Sequence, residues 1–380
     1  MAAGKTLGNA AVKSGARRKV ALVTNIPAPY RVAVFRLLAR VPGMHFKVFF
    51  CAGSEPDRNW DEAQQSYEHM FLQERVYKVG IRFIHFNPDV WAQLKVFGPE
   101  VVVTTGFNPT HLLAFLYARF HGCQHVAMTD GTPDSEQNLS IVHKLLRRWV
   151  YGRSAACVGA SQASLRLLAE YVPRPESLFQ SHLCADNARF AAEPEHPKAY
   201  DLLFCGRFVG VKNPMFAMDV AEACARKLGR RVSLAFLGAG ELEPEMRARA
   251  ATLKGVDASF LGFAQTDDLP ARYKRASIFL FPTLWDPWGV VANEACASGV
   301  PILCTVHAGA AGEIIQDGVN GAILPLDVEA WTQAACRLLQ DPAWYAQQSE
   351  GGRRLVQGHT FEAAADGLWR AIAHALRSRG

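Results

Sequence analysis

The chain has 380 residues, 49% of them hydrophobic, and a formal net charge of +6 at pH 7. A chain of this length exceeds what one hydrophobic core normally supports, so two domains are expected. No apolar run reaches the roughly 18 residues that can span a bilayer, which argues against a transmembrane protein. The modest charge suits nucleotide diphosphates and anionic membrane surfaces, and we expect no nucleic-acid partner.

The beginning of the chain is basic and lacks the apolar stretch of a secretory signal. Residues 1–17 are therefore expected to form a basic flexible tail. The nine cysteines are scattered singly, without a C-x-x-C pair, which is typical of free thiols in a reducing cytoplasm. We expect a cytoplasmic protein that can lie peripherally on the inner face of a membrane.

Alternating predicted strands and helices begin at Arg18. The strands read KVALVTN, HFKVFFCAG, PEVVVTTG, HVAMTDG and AACVGAS, and helical spacing of apolar residues follows the first and third of them. This alternation predicts a parallel sheet with helices on both faces, in an α/β domain over residues 18–190.

The composition changes after this first series. Residues 191–200 are rich in proline and charge and have no periodicity, which is typical of a linker. A second series of strands and helices follows, so a second domain is expected over residues 191–358. Residues 359–380 predict an amphipathic helix.

In the second domain, a buried strand runs into a loop with two acidic residues nearby. The segment FPTLWDPWGVVANEACASGVP (residues 281–301) places Asp286 in the loop, a turn ending at Gly289, and Glu294 in a short helix. Both carboxylates are expected at the carboxyl edge of a parallel sheet, where open α/β sheets bind nucleotides. The alternatives are that Asp286 caps the helix, with Pro287 in its first turn, and that Glu294 is an ordinary solvated residue.

Three further segments of the second domain carry candidate residues. After DLLFCG, the turn GRFVGVKN carries Arg207 and Lys212, which together suit a bridging diphosphate without a metal ion. The segment FLGFAQ contains Gly262 and Phe263, and HAGAAGE contains Glu313. Two surface cations and a helix-capping glutamate are the alternative interpretations.

These segments, in this order, resemble the family 4 retaining glycosyltransferases. The shared features are a carboxylate-x7-carboxylate motif, a Gly-Arg-x4-Lys turn and a GGxxE...DGxxG stretch, over roughly residues 155–340. The resemblance implies the GT-B fold, with two facing Rossmann-like domains and a C-terminal helix that packs back on the first. It implies catalytic roles for Asp286 and Glu294, diphosphate binding by Arg207, Lys212 and Gly289, and donor sugar or nucleotide binding by Glu313, Gly262 and Phe263.

Several positions depart from the family pattern. Asp286 stands where the family usually has a glutamate, and Asp130 stands where many relatives have a histidine. Asp130 is a candidate catalytic residue, or alternatively it caps the turn in TDGTPD. IPAPYR replaces the family's glycine pair, so Arg31 is expected to make part of the phosphate contact that this pair makes in the family. Arg31, Asn108 and His111 are expected on the acceptor side.

The resemblance further implies a metal-independent hexosyltransferase that needs no cofactor. It would move a sugar with retention from a UDP- or GDP-sugar to a glycan or lipid-linked acceptor, in cell-surface polysaccharide or glycoconjugate assembly. Arg207, Lys212 and the helix start near Gly289 would stabilise charge on the departing diphosphate. A non-catalytic GT-B subunit, and another GT-B enzyme such as an epimerase or inverting transferase, remain open.

The segment LAFLGAGE invites a dinucleotide-binding interpretation. Such a fingerprint needs a third glycine, and Glu243 stands at that position. Gly238 and Gly240 therefore predict a tight turn instead.

The predicted helix IVHKLLRRWVYGR (residues 141–153) has an apolar stripe with Trp149 and Tyr151. It has no acid and four cations, Lys144, Arg147, Arg148 and Arg153. This pattern predicts either a solvated face over a buried stripe or a contact with anionic lipid.

Overall fold

The computed structural model describes residues 17–55, 65–79, 82–137, 139–192, 194, 196–265 and 267–378. The basic tail expected over residues 1–17 lies outside this part of the chain, apart from its last residue. The chain divides into two compact units, one formed by Met1–Leu183 with Phe361–Gly380 and the other by Cys184–Thr360.

The first unit alternates strands with helices. Strands β1 to β9 are Arg18–Thr24, Met44–Phe50, His69–Phe71, Val76–Val79, Arg82–His85, Val101–Thr104, Gln124–Thr129, Ala156–Gly159 and Leu178–Gln180. Helices α1 to α6 are Pro29–Leu38, Val90–Phe97, Pro109–Phe120, Pro133–Glu136, Ile141–Arg153 and Gln162–Tyr171.

The main sheet of the first unit is parallel, with the strand order β3-β2-β1-β6-β7-β8-β9. Strands β4 and β5 form a separate antiparallel hairpin. In the centre of the sheet, Val20 of β1 pairs with Phe46 of β2 and Val101 of β6. The strand order reverses between β1 and β6, which opens a crevice at their carboxyl ends.

Strand β1 lies in the core of the first unit. Ala21 and Val23 pack with residues of α2 and α3, and each residue from Val20 to Val23 is 0% exposed. A parallel strand that is covered on both faces requires such a continuous apolar run, which is why KVALVTN could be recognised in the sequence.

The second unit begins with a helix and continues with a second βα series. Strands β10 to β15 are Tyr200–Cys205, Val232–Leu237, Val256–Phe260, Ala276–Phe281, Ile302–Cys304 and Gly321–Ile323. Helices α7 to α13 are Asn187–Ala192, Pro214–Leu228, Glu243–Ala250, Leu269–Lys274, Val290–Ala297, Val328–Gln340 and Pro342–Val356, and α14 is Phe361–Arg377 in the first unit.

The second sheet is also parallel, with the strand order β12-β11-β10-β13-β14-β15. Leu202 of β10 pairs with Leu234 of β11 and Ile278 of β13. The order reverses between β10 and β13, so the loops after these two strands border a crevice. The two parallel sheets with their helices confirm the predicted α/β fold class.

The boundary between the units differs from the expected one at residues 190 and 191. It falls at Leu183, because α7 packs against α10 and α11 of the second unit. The Phe190 side chain of α7 is 3% exposed and its ring lies edge-on to Tyr273, with 5.8 Å between centroids. The last residues assigned by sequence to the first domain therefore belong to the second.

Helix α14 packs on the first sheet and on α1. The Ser181 hydroxyl donates to the carbonyl of Ala364 over 2.8 Å. A Cβ on Gly367 would lie only 1.7 Å from the carbonyl oxygen of Gln180, so a glycine is needed for this close approach.

Within the described part of the chain, every helix is too short or too polar to cross a bilayer.

The nine cysteines all lie in described residues and form no disulfide, and all but Cys205 are buried. Burial raises the pKa of Cys51, Cys157 and Cys296 to about 12. These three thiols therefore stay protonated at neutral pH and act as small core residues.

Candidate functional site

Two loops meet at the reversal point of the second sheet. One loop follows β10 and the other follows β13. The backbone N–H of Leu284 donates to the carbonyl of Val211 over 2.8 Å, and the Thr283 hydroxyl donates to the same carbonyl over 3.1 Å. These bonds hold the end of the first loop against the start of the second, and so bring Lys212 to Asp286.

Lys212 and Asp286 form a partly buried ion pair. The Lys212 Nζ lies 2.5 Å from Asp286 Oδ2, and the side chains are 16% and 13% exposed. The other carboxylate oxygen of Asp286 accepts from the backbone N–H of Trp288 over 3.1 Å. Each predicted site residue is thus the counter-ion of the other, so a change in one alters the electrostatics of both.

Helix α11 begins directly beyond this pair. Gly289 is its N-cap, with φ +85°, and a Cβ there would lie 2.4 Å from the Phe281 ring. The alternative in which Asp286 caps the helix is therefore wrong, because the chain makes a left-handed turn at Gly289 before the helix starts. The Asp286 carboxylate is instead available to Lys212.

The loop after β14 packs on the Asp286 loop through backbone hydrogen bonds. The N–H of Asp286 donates to the His307 carbonyl over 3.1 Å, and the N–H of Gly309 donates to the Asp286 carbonyl over 2.9 Å. A Cβ on Gly309 would lie 2.1 Å from the Pro287 carbonyl oxygen. Glu313 follows in the same loop with a partly buried side chain.

Glu294 lies in α11 in different surroundings from Asp286. Burial raises the pKa of the Glu294 carboxyl to about 7, and the nearby Tyr273 hydroxyl lowers it in part. Burial and the charge of Glu294 in turn raise the pKa of the Cys205 thiol, at the end of β10, to about 12. The two carboxylates of the motif therefore have separate partners, Lys212 for Asp286 and Tyr273 for Glu294.

Tyr273 and Cys205 were not singled out from the sequence. The pKa of Tyr273 is raised well above its usual value, first by burial and then by the charges of Cys205 and Glu294. Cys205 ends a recognisable strand, which was an available signal, whereas nothing in the segment ARYKRAS marks Tyr273. Only the packing of α10 beside α11 brings Tyr273 to Glu294.

The loops after β10, β11 and β12 are in close backbone contact. Gly206 donates to the Leu237 carbonyl over 3.0 Å, and Gly238 donates to the Gly262 carbonyl over 2.8 Å. A Cβ added to Gly238 would lie 2.0 Å from the carbonyl oxygen of Gly206. A Cβ added to Gly240 would lie 2.5 Å from the carbonyl oxygen of Phe208. These glycines are required for loop packing, which accounts for them without a dinucleotide.

Two of the predicted donor-side residues are exposed at this edge. The Phe263 side chain is 44% exposed in the loop after β12, and Arg207 is exposed in the loop after β10. Gly262 has φ +71°, which turns the chain toward Phe263. The carboxyl edge of the second sheet thus presents an aromatic ring and a guanidinium in addition to the Lys212 and Asp286 pair.

A separate cavity of about 170 Å³ lies at the reversal point of the first sheet. Its lining combines polar and charged side chains, and among the described residues it includes neither Asn108 nor His111. The lining residues are Thr24, Asn25, Ile26, Ala28, Tyr30, Arg31, Glu55, Thr105, Met128 and Asp130.

Arg31 and Asp130 form an ion pair at this cavity. The Arg31 Nη2 lies 2.8 Å from Asp130 Oδ1, with the Arg31 side chain 9% exposed and that of Asp130 42% exposed. The cap of the following short helix α4 is Thr132, whose hydroxyl accepts from Ser135 N. Thr132, and not Asp130, therefore caps the helix that follows this turn.

Asn108 and His111 lie behind the cavity wall. The Asn108 side chain donates to Asn25 Oδ1 over 3.1 Å, so it supports a lining residue. His111 is 1% exposed and packs under Gly106. Burial lowers the pKa of His111 to about 3, so its imidazole is neutral at physiological pH.

Glu55 is a lining residue that was not predicted from the sequence. Its carboxylate lies 2.9 Å from Nε2 of the fully buried His85. Nothing in the local sequence around Glu55 marks it, because its partner comes from the β4–β5 hairpin.

Three residues of helix α5 that were expected to contact a membrane pack within the first unit instead. Tyr151 is 0% exposed, and the Trp149 ring packs edge-on to Phe115 with 4.8 Å between centroids. Arg147 pairs with the buried Glu136 at 2.7 Å. These three residues are therefore turned toward the protein, because the apolar stripe covers the core of the first unit.

The chain is similar to known proteins in sequence and in fold. Residues 199–341 match the family model described as glycosyl transferases group 1. The D-inositol 3-phosphate glycosyltransferase of Salinispora arenicola is 27% identical over 193 residues, 48% of this chain and 43% of that protein. The protein of the same name from Mycolicibacterium paratuberculosis is 32% identical over 177 residues, 45% of this chain and 40% of that protein. The chain thus spans less than half the length of these curated relatives.

Solved structures match over a larger part of the chain. Anabaena HepE in complex with UDP has a TM-score of 0.73 at 14% identity, over 95% of this chain and 100% of that one. Sucrose-phosphate synthase from Thermosynechococcus elongatus has a TM-score of 0.67 at 16% identity, over 95% and 100% of the two chains. These likenesses show the GT-B fold. The chain therefore has the GT-B fold, and the match to the group 1 glycosyltransferases covers the residues that form the Lys212 and Asp286 crevice.

Proposed function

We propose that this protein transfers a sugar, with retention, from a nucleoside diphosphate sugar to a hydroxyl of a glycan or lipid-linked acceptor. The observation that carries the proposal is the Lys212 and Asp286 pair at the reversal point of the second sheet, beside the start of α11. A cation and a helix N-terminus suit a diphosphate, and a carboxylate suits sugar hydroxyls.

The donor is proposed to be a UDP- or GDP-sugar. One of the solved neighbours is Anabaena HepE in complex with UDP-glucose, which supports a uridine nucleotide here. Arg207, Lys212 and the N–H groups after Gly289 would hold the diphosphate. Glu313, Gly262 and Phe263 would contact the donor sugar and nucleotide.

The ion pair gives the proposed donor site two electrostatic states. An incoming diphosphate draws the Lys212 ammonium toward its own charge, which frees the Asp286 carboxylate to accept from a hydroxyl. The bond from the anomeric carbon to the diphosphate breaks as the bond to the acceptor oxygen forms, and the acceptor proton passes to the departing phosphate. The two cations stabilise the charge that grows on this leaving group.

The acceptor is proposed to bind at the cavity of the first unit. At about 170 Å³ the cavity is smaller than the 300–1,000 Å³ of pockets for drug-sized ligands, so it suits one sugar-sized group. The relatives named for D-inositol 3-phosphate support a hydroxyl-rich acceptor. Arg31 and Asp130 offer a donor fork and a partly exposed carboxylate to such a group, which makes Asp130 a candidate catalytic residue.

The proposed role is in the assembly of cell-surface polysaccharides or glycoconjugates, and the proposed location of the protein itself is the cytoplasm. A lipid-linked acceptor would require the protein to reach an anionic membrane surface peripherally.

A ligand panel tests the donor assignment. Thermal unfolding of the full chain is measured with UDP, GDP, ADP and the corresponding diphosphate sugars, followed by product analysis with the sugar that stabilises most. A uridine or guanosine nucleotide at a hundred times its Kd should add about 2.7 kcal/mol to the unfolding free energy. A flat response to every nucleotide would overturn the proposal. Stabilisation without transfer to any acceptor would favour the non-catalytic subunit.

The proposed transferase should keep its activity in EDTA. Two protein cations, Arg207 and Lys212, would supply the positive charge that a divalent ion supplies in other phosphate sites. Initial rates are compared in EDTA and in added Mg²⁺ or Mn²⁺. Loss of activity in EDTA with recovery on adding either ion would contradict metal independence.

A further inference from the structure

Helix α5 carries an exposed apolar patch at its amino-terminal end. Ile141, Val142 and Leu145 are 75%, 72% and 61% exposed. Single exposed apolar residues are normal on a protein surface, but three on adjacent turns of one helix form a continuous patch. The same helix buries Val150 and Tyr151 near its other end, so the patch is the part of α5 that the core does not cover.

Two cations flank this patch. Lys144 and Arg148 are exposed, and Arg148 lies three residues after Leu145 and seven after Ile141, on the same face of the helix. The helix has no acid. Glu136 on the neighbouring α4 is buried against Arg147, and the exposed acid nearby in sequence is Asp134. The patch thus combines apolar side chains with a positive charge, which is the pattern of a helix that lies in an anionic lipid interface.

The topology places this patch on the same edge of the first sheet as the proposed acceptor cavity. Helix α5 connects β7 to its parallel neighbour β8, so it must begin at the carboxyl edge of β7. Asp130 follows β7 directly and lines the cavity. A surface that contacts the start of α5 would therefore lie at the edge of the sheet where the cavity opens.

We propose that Ile141, Val142 and Leu145, flanked by Lys144 and Arg148, form a docking surface for an anionic lipid membrane. This inference rests on the proposed function, because it gives the cavity a lipid-linked acceptor delivered from the membrane plane. The apolar side chains enter the boundary between headgroups and acyl chains, and the two cations contact anionic headgroups. This surface replaces the contact expected through Trp149, Tyr151 and Arg147. Trp149 and Tyr151 pack in the core, and Arg147 pairs with Glu136.

Vesicle co-sedimentation of the full chain tests the docking surface. The vesicles are phosphatidylcholine with and without phosphatidylglycerol, at low and physiological salt. Wild type should bind the anionic vesicles more strongly, and salt should weaken the binding. Lys144→Gln with Arg148→Gln should weaken it about 25-fold, at about fivefold for each cation. Ile141→Ser with Leu145→Ser should weaken it at least as much.

The matched control is on α2, which ends at the opposite edge of the same sheet. Lys95→Gln with Val96→Ser removes one exposed cation and one exposed apolar residue, and should leave vesicle binding unchanged. The donor site is in the other unit, so the shift of the unfolding temperature by UDP should be the same in all variants. If the UDP shift persists but wild type and the α5 variants bind vesicles equally, or none binds, the docking proposal fails and the proposed function stands. Wild type could also bind no vesicles while the α5 variants lose a self-association that wild type shows. The patch would then be a contact between two copies of the chain, and the docking proposal would be overturned.

Discussion

Lys212→Gln should weaken the binding of UDP and of a UDP-sugar about ten- to a hundredfold, because a charge-assisted hydrogen bond is worth about 1.5–3 kcal/mol. The change also leaves the Asp286 carboxylate partly buried without its counter-ion, where it repels the diphosphate. Isothermal titration with UDP measures the loss. Lys227→Gln is the control, since Lys227 pairs with Glu329 on the exposed surface of the same unit, 43% and 63% exposed. This control should bind UDP as wild type does.

A double-mutant cycle separates the two roles of the pair. Lys212→Gln and Asp286→Asn should each lower the unfolding free energy by about 1–3 kcal/mol, because each leaves one charge unpaired in a partly buried site. The double variant should recover much of this stability, since glutamine and asparagine can hydrogen-bond without charge. It should not recover UDP binding. Full binding by the double variant would show that Lys212 does not hold the diphosphate.

Glu294→Gln should lower transfer about ten- to a hundredfold while leaving the protein folded, because the amide no longer accepts charge-assisted bonds from donor hydroxyls. The pKa of Glu294 lies at about 7, so the wild-type rate should rise as the pH passes through this value. The variant should lack that rise. A wild-type pH profile in Glu294→Gln would contradict an ionised Glu294 in the reaction.

The same variant has a second, independent readout in stability. The folded-state pKa of Glu294, about 7, lies above its unfolded value of 4.5. The stability that the protonated carboxyl contributes is therefore present below pH 4.5 and is lost as the pH rises to about 7. Glutamine has no such loss. Relative to wild type, Glu294→Gln should become more stable between pH 4.5 and 7, by about 1–3 kcal/mol after allowance for its partial exposure. Equal differences at pH 5 and pH 8 in urea unfolding would contradict this.

The structural basis for these experiments was only partly predictable. The loop with Asp286 and the turn with Lys212 could be placed at one sheet edge, because each follows a continuous apolar strand and the carboxyl ends of parallel strands lie together. Their direct pairing could not be predicted, since it joins residues 74 positions apart. The pair depends on the hydrogen bond between Leu284 and Val211, which neither segment reveals alone.

In the first unit, too, the sequence identified candidate residues but could not predict which of them contact each other. The sequence marked Arg31 and Asp130 separately as departures from a family pattern, and 99 positions separate the two residues of this ion pair. His111 was a candidate on the acceptor side as the nearest alternative to the histidine of many relatives, with a helix residue facing a neighbour as the other interpretation, and it lies buried in α3. Asn108 supports the cavity wall through Asn25, which is a role that only the packed loops define.

By itself the sequence determined the βα order, the loops that reach each crevice and the glycines that let those loops turn, whereas the GT-B class was implied by the family resemblance. These features depend on local patterns, namely apolar runs, helical spacing and turn residues, which act within a few positions of the chain. The tertiary structure alone decided which side chains pair, that Glu294 lies beside Tyr273 and Cys205, and that α5 buries Trp149 while exposing Ile141 and Leu145. Those outcomes depend on which elements pack together across long sequence separations, and desolvation in that packing sets the charges and pKa values of the site.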